Sequence, residues 1–81
     1  MRLTVLFFAQ ARERAGCASA PLELPAGSTV EDAMRVIARD HPSLASLWPH
    51  LAVALDGRLV DATAELRNGA ELALLPPVSG G

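Results

Sequence analysis

The side chains able to do chemistry are few and scattered. The 81-residue chain holds nine Asp and Glu, two His and one Cys. The carboxylates form no obvious pair for acid–base work, and no Cys or His falls at metal-ligand spacing. There is no phosphate-cradling Gly loop and no GxSxG elbow. His41 precedes Pro42 and His50 follows Pro49, so both read as solvated loop histidines. Cys17, next to Gly16, reads as a semi-buried structural thiol. Arg12-Glu13-Arg14 reads as a solvated helix face, with a charged contact from Arg12 to a partner as the alternative.

The C-terminus is different. The chain ends Leu74-Leu75-Pro76-Pro77-Val78-Ser79-Gly80-Gly81. Gly80 and Gly81 lack a Cβ and can thread a channel that excludes other residues. Residues 77–81 are expected to form a flexible tail on a domain spanning 1–76. The five residues after Pro76 reach at most about 17 Å when extended. Pro76, Pro77, Val78, Ser79 and Gly80 would then be the part that enters a partner's channel. The reactive group is the terminal carboxyl of Gly81. A free terminal carboxyl is ionised at neutral pH and is a poor electrophile. To react, it must first become an acyl adenylate, which implies ATP and an activating partner.

The elements that must carry this tail can be read from periodicity. Arg2 to Phe8 reads as a strand, with Leu3, Val5 and Phe7 on one face and Thr4, Leu6 and Phe8 on the other. Ala9 to Ala15 reads as a short helix capped by Gly16. Ser19 to Leu24 reads as a strand, and Pro21 suits a sheet edge. Pro25 to Ser28 is turn chemistry. Ser28 and Glu31 fit a capping box. Val30, Ala33, Met34 and Ile37 then form the apolar stripe of an amphipathic helix ending near Asp40, before Pro42. Pro42 to Pro49 reads as a connector burying Leu44, Leu47 and Trp48. Leu51 to Leu55 and Arg58 to Val60 read as strands around an Asp56-Gly57 hairpin turn. Asn68-Gly69 is a second turn, and Glu71 to Leu75 is the last strand. Ala62 to Arg67 carries no readable motif. The result is an α+β domain, a mixed sheet with one main helix across it, in β-grasp (ubiquitin-like) order.

This pattern leaves one face of the sheet uncovered. Leu3, Val5, Phe7, Leu72 and Leu74 satisfy the helix. Leu6, Phe8, Ala73 and Leu75 point the other way. If Phe8 and Leu75 are exposed, they make an apolar docking patch beside the tail root. The alternative is that Trp48 and its loop cover them.

Composition excludes several classes of function. Half the residues are apolar (51%) and 20% are charged, which fits a folded domain rather than a disordered one. A net charge of −2 without a basic run disfavours nucleic acid and anionic membrane. No apolar run approaches the roughly 20 residues of a membrane span. One Cys cannot form an internal disulfide and fits a reducing cytoplasm. All seven basic residues are Arg. The lack of Lys leaves the α-amine as the only internal acceptor for an activated C-terminus, although GC-rich coding accounts for the same fact without function.

Leu6-Phe7-Phe8-Ala9-Gln10-Ala11-Arg12-Glu13 and Pro76-Pro77-Val78-Ser79-Gly80-Gly81 together resemble the MoaD family, the small sulfur-carrying subunits of molybdopterin synthase. The resemblance covers the whole chain. It implies that a MoeB-like adenylating enzyme uses ATP to activate Gly81, and that a sulfur donor then converts it to a thiocarboxylate. It also implies that the tail enters a MoaE-like large subunit within a heterotetramer, where the sulfur attacks cyclic pyranopterin monophosphate. Catalytic side chains then belong to the large subunit and no cofactor is bound here. The competing expectations are a ThiS-like thiamine carrier, a modifier conjugated to lysines through Gly81, and an interaction domain with an inert tail.

Overall fold

Alternation of Leu3, Val5 and Phe7 with wetter neighbours produces β1, Arg2–Phe7, and all three are almost completely buried. The computed structural model describes residues 1–77. Chain order continues through α1 (Ala9–Ala15), β2 (Ser19–Glu23) and α2 (Val30–Asp40). Two single-turn 3-10 segments follow, Pro42–Leu44 and Trp48–His50, then β3 (Ala52–Leu55), β4 (Arg58–Val60) and β5 (Glu71–Leu75).

The five strands form one mixed sheet in the order β2-β1-β5-β3-β4. Only the central β1–β5 pair is parallel; the other pairs are antiparallel. Pro21 sits in the edge strand β2, where its missing N–H removes nothing from the interior of the sheet. One helix on one face of a mixed sheet is the β-grasp arrangement, as the element order implies.

α2 covers that face through Val30, Ala33 and Ile37. Opposite it lie Leu3, Val5, Phe7, Leu72 and Leu74, and Leu44 and Leu47 close one end of the same core. Burying each such side chain is worth roughly 1.5–3 kcal/mol. The capping box falls one residue later than Ser28 and Glu31 suggest. The Thr29 N–H donates to Asp32 Oδ2 at 2.9 Å, and the Asp32 N–H donates to Thr29 Oγ1 at 3.4 Å. Ser28 is unavailable because its buried hydroxyl donates to the Pro25 carbonyl at 2.7 Å and closes the preceding turn.

The unreadable stretch 62–67 completes the same helix end. The Val30 N–H donates to the Ala64 carbonyl and the Glu31 N–H to the Ala62 carbonyl, both at 2.9 Å. First-turn N–H groups have no partner inside their own helix, so the loop supplies one. Leu66 meanwhile anchors that loop in the core.

Two turns fix the sheet register. Asp56 and Gly57 both have positive φ, 48° and 86°, which suits a tight hairpin. Asp56 Oδ1 also accepts the Glu71 N–H at 2.9 Å, clamping that hairpin to the start of β5. At the other turn, the Gly69 N–H donates to the Arg2 carbonyl and the Arg2 N–H to Asn68 Oδ1. These bonds place the start of β5 beside the start of β1.

Candidate functional site

The sheet face away from α2 is the candidate site. Strand register sets Leu6 beside Ala73, Ala73 beside Ala54, and Ala54 beside Leu59. An apolar row thus crosses four strands. A second, shorter row lies nearer the end of β5. There Ala52 pairs with Leu75, and the β1–β5 register brings Leu75 level with Phe8. Phe8 is 45% exposed and Leu59 72%, while Leu6, Ala73 and Leu75 are half-buried. The short alanines form a low floor between Phe8 and Leu59, so the patch is a shallow saddle.

Phe8 is displayed for a local reason. β1 ends at Phe7, one residue earlier than its sequence suggests, and Phe8 becomes the residue before α1. It keeps an extended backbone, φ −112° and ψ 151°, so the in–out alternation persists through it. At Ala9 the φ switches to 49° and the chain turns into the helix. α1 ends at Gly16, whose φ of 80° is the left-handed conformation that glycine adopts at little cost.

Of the residues expected at the site, Phe8 and Leu75 lie together, with Leu75 half-buried rather than open. Pro76 is half-buried and Pro77 exposed, directly beyond β5. Arg12 is exposed on α1 and makes no ion pair among the described residues. Arg14 instead bonds Ser46 Oγ at 2.6 Å, which ties α1 to the connector. The expected roles of Val78, Ser79, Gly80 and Gly81 lie outside the described residues. Trp48 lines one cleft with Met34, Leu51, Ala52 and Leu59 and another with Ala38 and His41, and neither cleft includes Phe8 or Leu75. Leu59 is the residue that sequence reasoning missed. Its signal was present, because the Asp56-Gly57 turn alone sets it opposite Ala54.

The patch itself carries no titratable side chain. The two shifted acids serve the scaffold. The Thr29 N–H holds the Asp32 carboxyl below its usual range, aided by the Thr29 hydroxyl and Arg35 and opposed by partial desolvation. The Thr63 hydroxyl and N–H do the same for Asp61. Among the described residues no group of three or more His, Cys, Asp or Glu could hold a metal ion. His41 is half-buried rather than solvated, its ring edge-on to Phe7 at 5.1 Å, whereas His50 is exposed. Cys17 is half-buried, as expected. No helix among the described residues is long and apolar enough to cross a membrane. Such a surface has the apolar character that suits docking a partner.

Residues 5–81 match the ThiS family. The molybdopterin synthase sulfur carrier subunit of Chlamydomonas reinhardtii is 39% identical, over the full length of both chains. The chain belongs to the ThiS family, as a MoaD-type member. Among solved structures of this fold, small archaeal modifier protein 1 from Haloferax volcanii superposes with a TM-score of 0.91 at 29% identity, covering both chains completely. A chain from Helicobacter pylori 26695 was solved in a complex of subunits 1 and 2 of molybdopterin-converting factor. It covers both chains completely, with a TM-score of 0.75 at 26% identity.

Proposed function

We propose that this chain is the sulfur-carrier subunit of a molybdopterin synthase. The observation that carries the reading is the continuity of the apolar saddle with β5, whose last residue, Leu75, leads straight into Pro76-Pro77 and the terminal Gly80-Gly81. A partner that covers Phe8, Leu75 and Leu59 receives the C-terminal segment at the edge of the same footprint. The Helicobacter pylori complex and the sulfur-carrier name of the Chlamydomonas protein support this reading.

The chemistry follows from the carboxyl group. An oxygen of the Gly81 carboxylate attacks the α-phosphorus of ATP on a MoeB-like adenylating enzyme, and pyrophosphate leaves. A sulfur donor then attacks the acyl carbon through sulfur and AMP departs with the C–O electron pair; the donor–sulfur bond is then cleaved, by a thiol reductant where the donor is a persulfide, which leaves Gly81 a thiocarboxylate. Inside a MoaE-like large subunit that sulfur attacks a side-chain carbon of the pterin substrate, cyclic pyranopterin monophosphate, and an oxygen substituent of that carbon leaves with the C–O electron pair. Water then cleaves the acyl–sulfur bond, which leaves sulfur on the product and regenerates the carboxylate. Two carrier chains in turn supply the two sulfurs of the dithiolene, in keeping with a heterotetramer of two small and two large subunits. The carrier needs no catalytic side chain in this scheme, only a docking face and a slender end.

The test is a reconstituted synthesis with a large subunit, adenylating enzyme, ATP and sulfur donor. Removing Gly81, or adding a residue after it, abolishes dithiolene formation while the fold persists. Retained synthesis by the truncated chain contradicts the proposal.

A further inference from the structure

An activated C-terminus reacts with any amine that reaches it. The amine's lone pair forms a C–N bond, the leaving group departs with its electron pair, and the nitrogen gives up one proton. The amide produced is kinetically stable and ends the carrier's cycle, whereas hydrolysis only returns a carboxylate that can be activated again. We infer that the fold and composition of this chain make it an acyl donor that cannot be its own amine acceptor. The inference rests on activation of Gly81 as proposed above.

The basic residues number seven and all are Arg, so no lysine amine exists anywhere on the surface. A guanidinium keeps its protons in proteins and offers no lone pair for acylation. Arginine therefore supplies the positive charge for ion pairs such as Arg2–Glu23 and Arg35–Glu31 without supplying a nucleophile.

The one primary amine of the 81-residue chain is the α-amine of Met1. It is held in the β1–β2 ladder: it donates to the Leu24 carbonyl at 2.7 Å, and the Leu24 N–H returns a bond to the Met1 carbonyl at 3.0 Å. Met1 is half-buried, which restricts the directions from which an acyl group can approach that nitrogen. β1 and β5 are parallel, which puts Met1 and the end of β5 at opposite ends of the sheet. Phe7 is paired with Leu74, so Leu75 is level with Phe8, seven residues on from Met1. At ~3.3 Å per residue that separation is about 23 Å. Gly81 lies six residues past Leu75, and six residues span about 21 Å at full extension. A perfect reversal at Leu75 with every residue fully extended would bring the Gly81 acyl carbon only about level with the Met1 amine, and a real turn consumes the length that this needs.

The experiment bypasses the adenylating enzyme. The full chain is prepared as a C-terminal thioester at Gly81 in a Cys17→Ser background, which leaves amines as the competing nucleophiles. It is incubated at mildly alkaline pH beside two further variants, Ala52→Lys and Arg12→Lys. Ala52 is exposed and paired with Leu75, and Arg12 is exposed on the helix that follows Phe8. The parent is expected to hydrolyse to the linear acid only. At least one lysine variant is expected to yield a product one water lighter than that acid, with the amide mapped by peptide mass spectrometry to the new side chain. An amide at Met1 in the folded parent, cyclic or between copies, overturns the inference. Failure of both lysine variants also overturns it, because the missing lysines then protect nothing. Neither result depends on the identity of the sulfur donor or of the partner, so failure here is separable from failure of the carrier reading.

Discussion

The backbone N–H of Phe8 donates to the carbonyl of Leu74 at 3.3 Å. This bond extends the parallel ladder one residue past the end of β1 and holds the Phe8 ring beside the strand that leads into the C-terminus. The proposed docking face and β5 are thereby joined by the backbone. Phe8→Asp is therefore expected to weaken binding to the large subunit by about 2 kcal/mol or more, roughly thirtyfold, as loss of a central aromatic anchor does. Phe8 is already 45% exposed, so the melting temperature should barely move. Unchanged affinity by calorimetry contradicts the assignment of this face.

Leu59 provides an independent check from the far side of the saddle. Its side chain is 72% exposed and contributes little to the core. Leu59→Asp is expected to lower affinity for the large subunit while leaving urea unfolding within about 0.5 kcal/mol of the parent. An equal loss of affinity and stability would mean that Leu59 acts through the fold.

Leu72 makes the opposite prediction. It is completely buried, between Val5 on one neighbouring strand and Leu55 on the other. Leu72→Ala leaves a cavity that costs about 2–5 kcal/mol, a large share of the stability of so small a domain. Denaturant unfolding measures it, and a loss below about 1 kcal/mol would contradict the packing described.

The capping box predicts a pH dependence with a definite sign. Asp32 has a lowered pKa in the folded chain, chiefly because its carboxylate accepts the Thr29 N–H. A lowered folded-state value means that the stabilisation is fully present above the unfolded-state value and is lost as pH falls through the folded one. Asp32→Asn should therefore be less stable than the parent at neutral pH. The gap should close as the pH drops below about 4. A gap that is constant from neutral to acid conditions would show that the charge plays no part.

Much of this was legible in the residues themselves. Leu3, Val5 and Phe7 announce a buried strand face, and Val30, Ala33 and Ile37 announce the helix that covers it, because burial leaves a period in the sequence. Gly16, Asp56-Gly57 and Asn68-Gly69 mark turns because few residues tolerate the backbone they require. The sequence pattern puts the capping box one residue too early, since the competing bond from Ser28 to Pro25 belongs to the preceding turn and has no period. The 62–67 loop was silent because its task is to accept backbone N–H groups of a distant helix through its own carbonyls, which any sequence possesses. Leu59 is legible as the partner of Ala54 across the Asp56-Gly57 turn, but its place in the patch is not, because only the sheet order puts Ala54 beside Ala73.

The most direct test of the sulfur-carrier account is the intact mass of the chain after reaction with ATP, an adenylating enzyme and a sulfur donor. A carrier is expected to gain the mass difference of one sulfur for one oxygen, mapped to Gly81, and to return to its original mass once it has met the large subunit and the pterin substrate. It should run at its monomer mass in lysate under reducing, denaturing conditions. An unshifted Gly81, together with adducts joining Gly81 to lysines of other proteins, would contradict the account and make the chain a protein modifier.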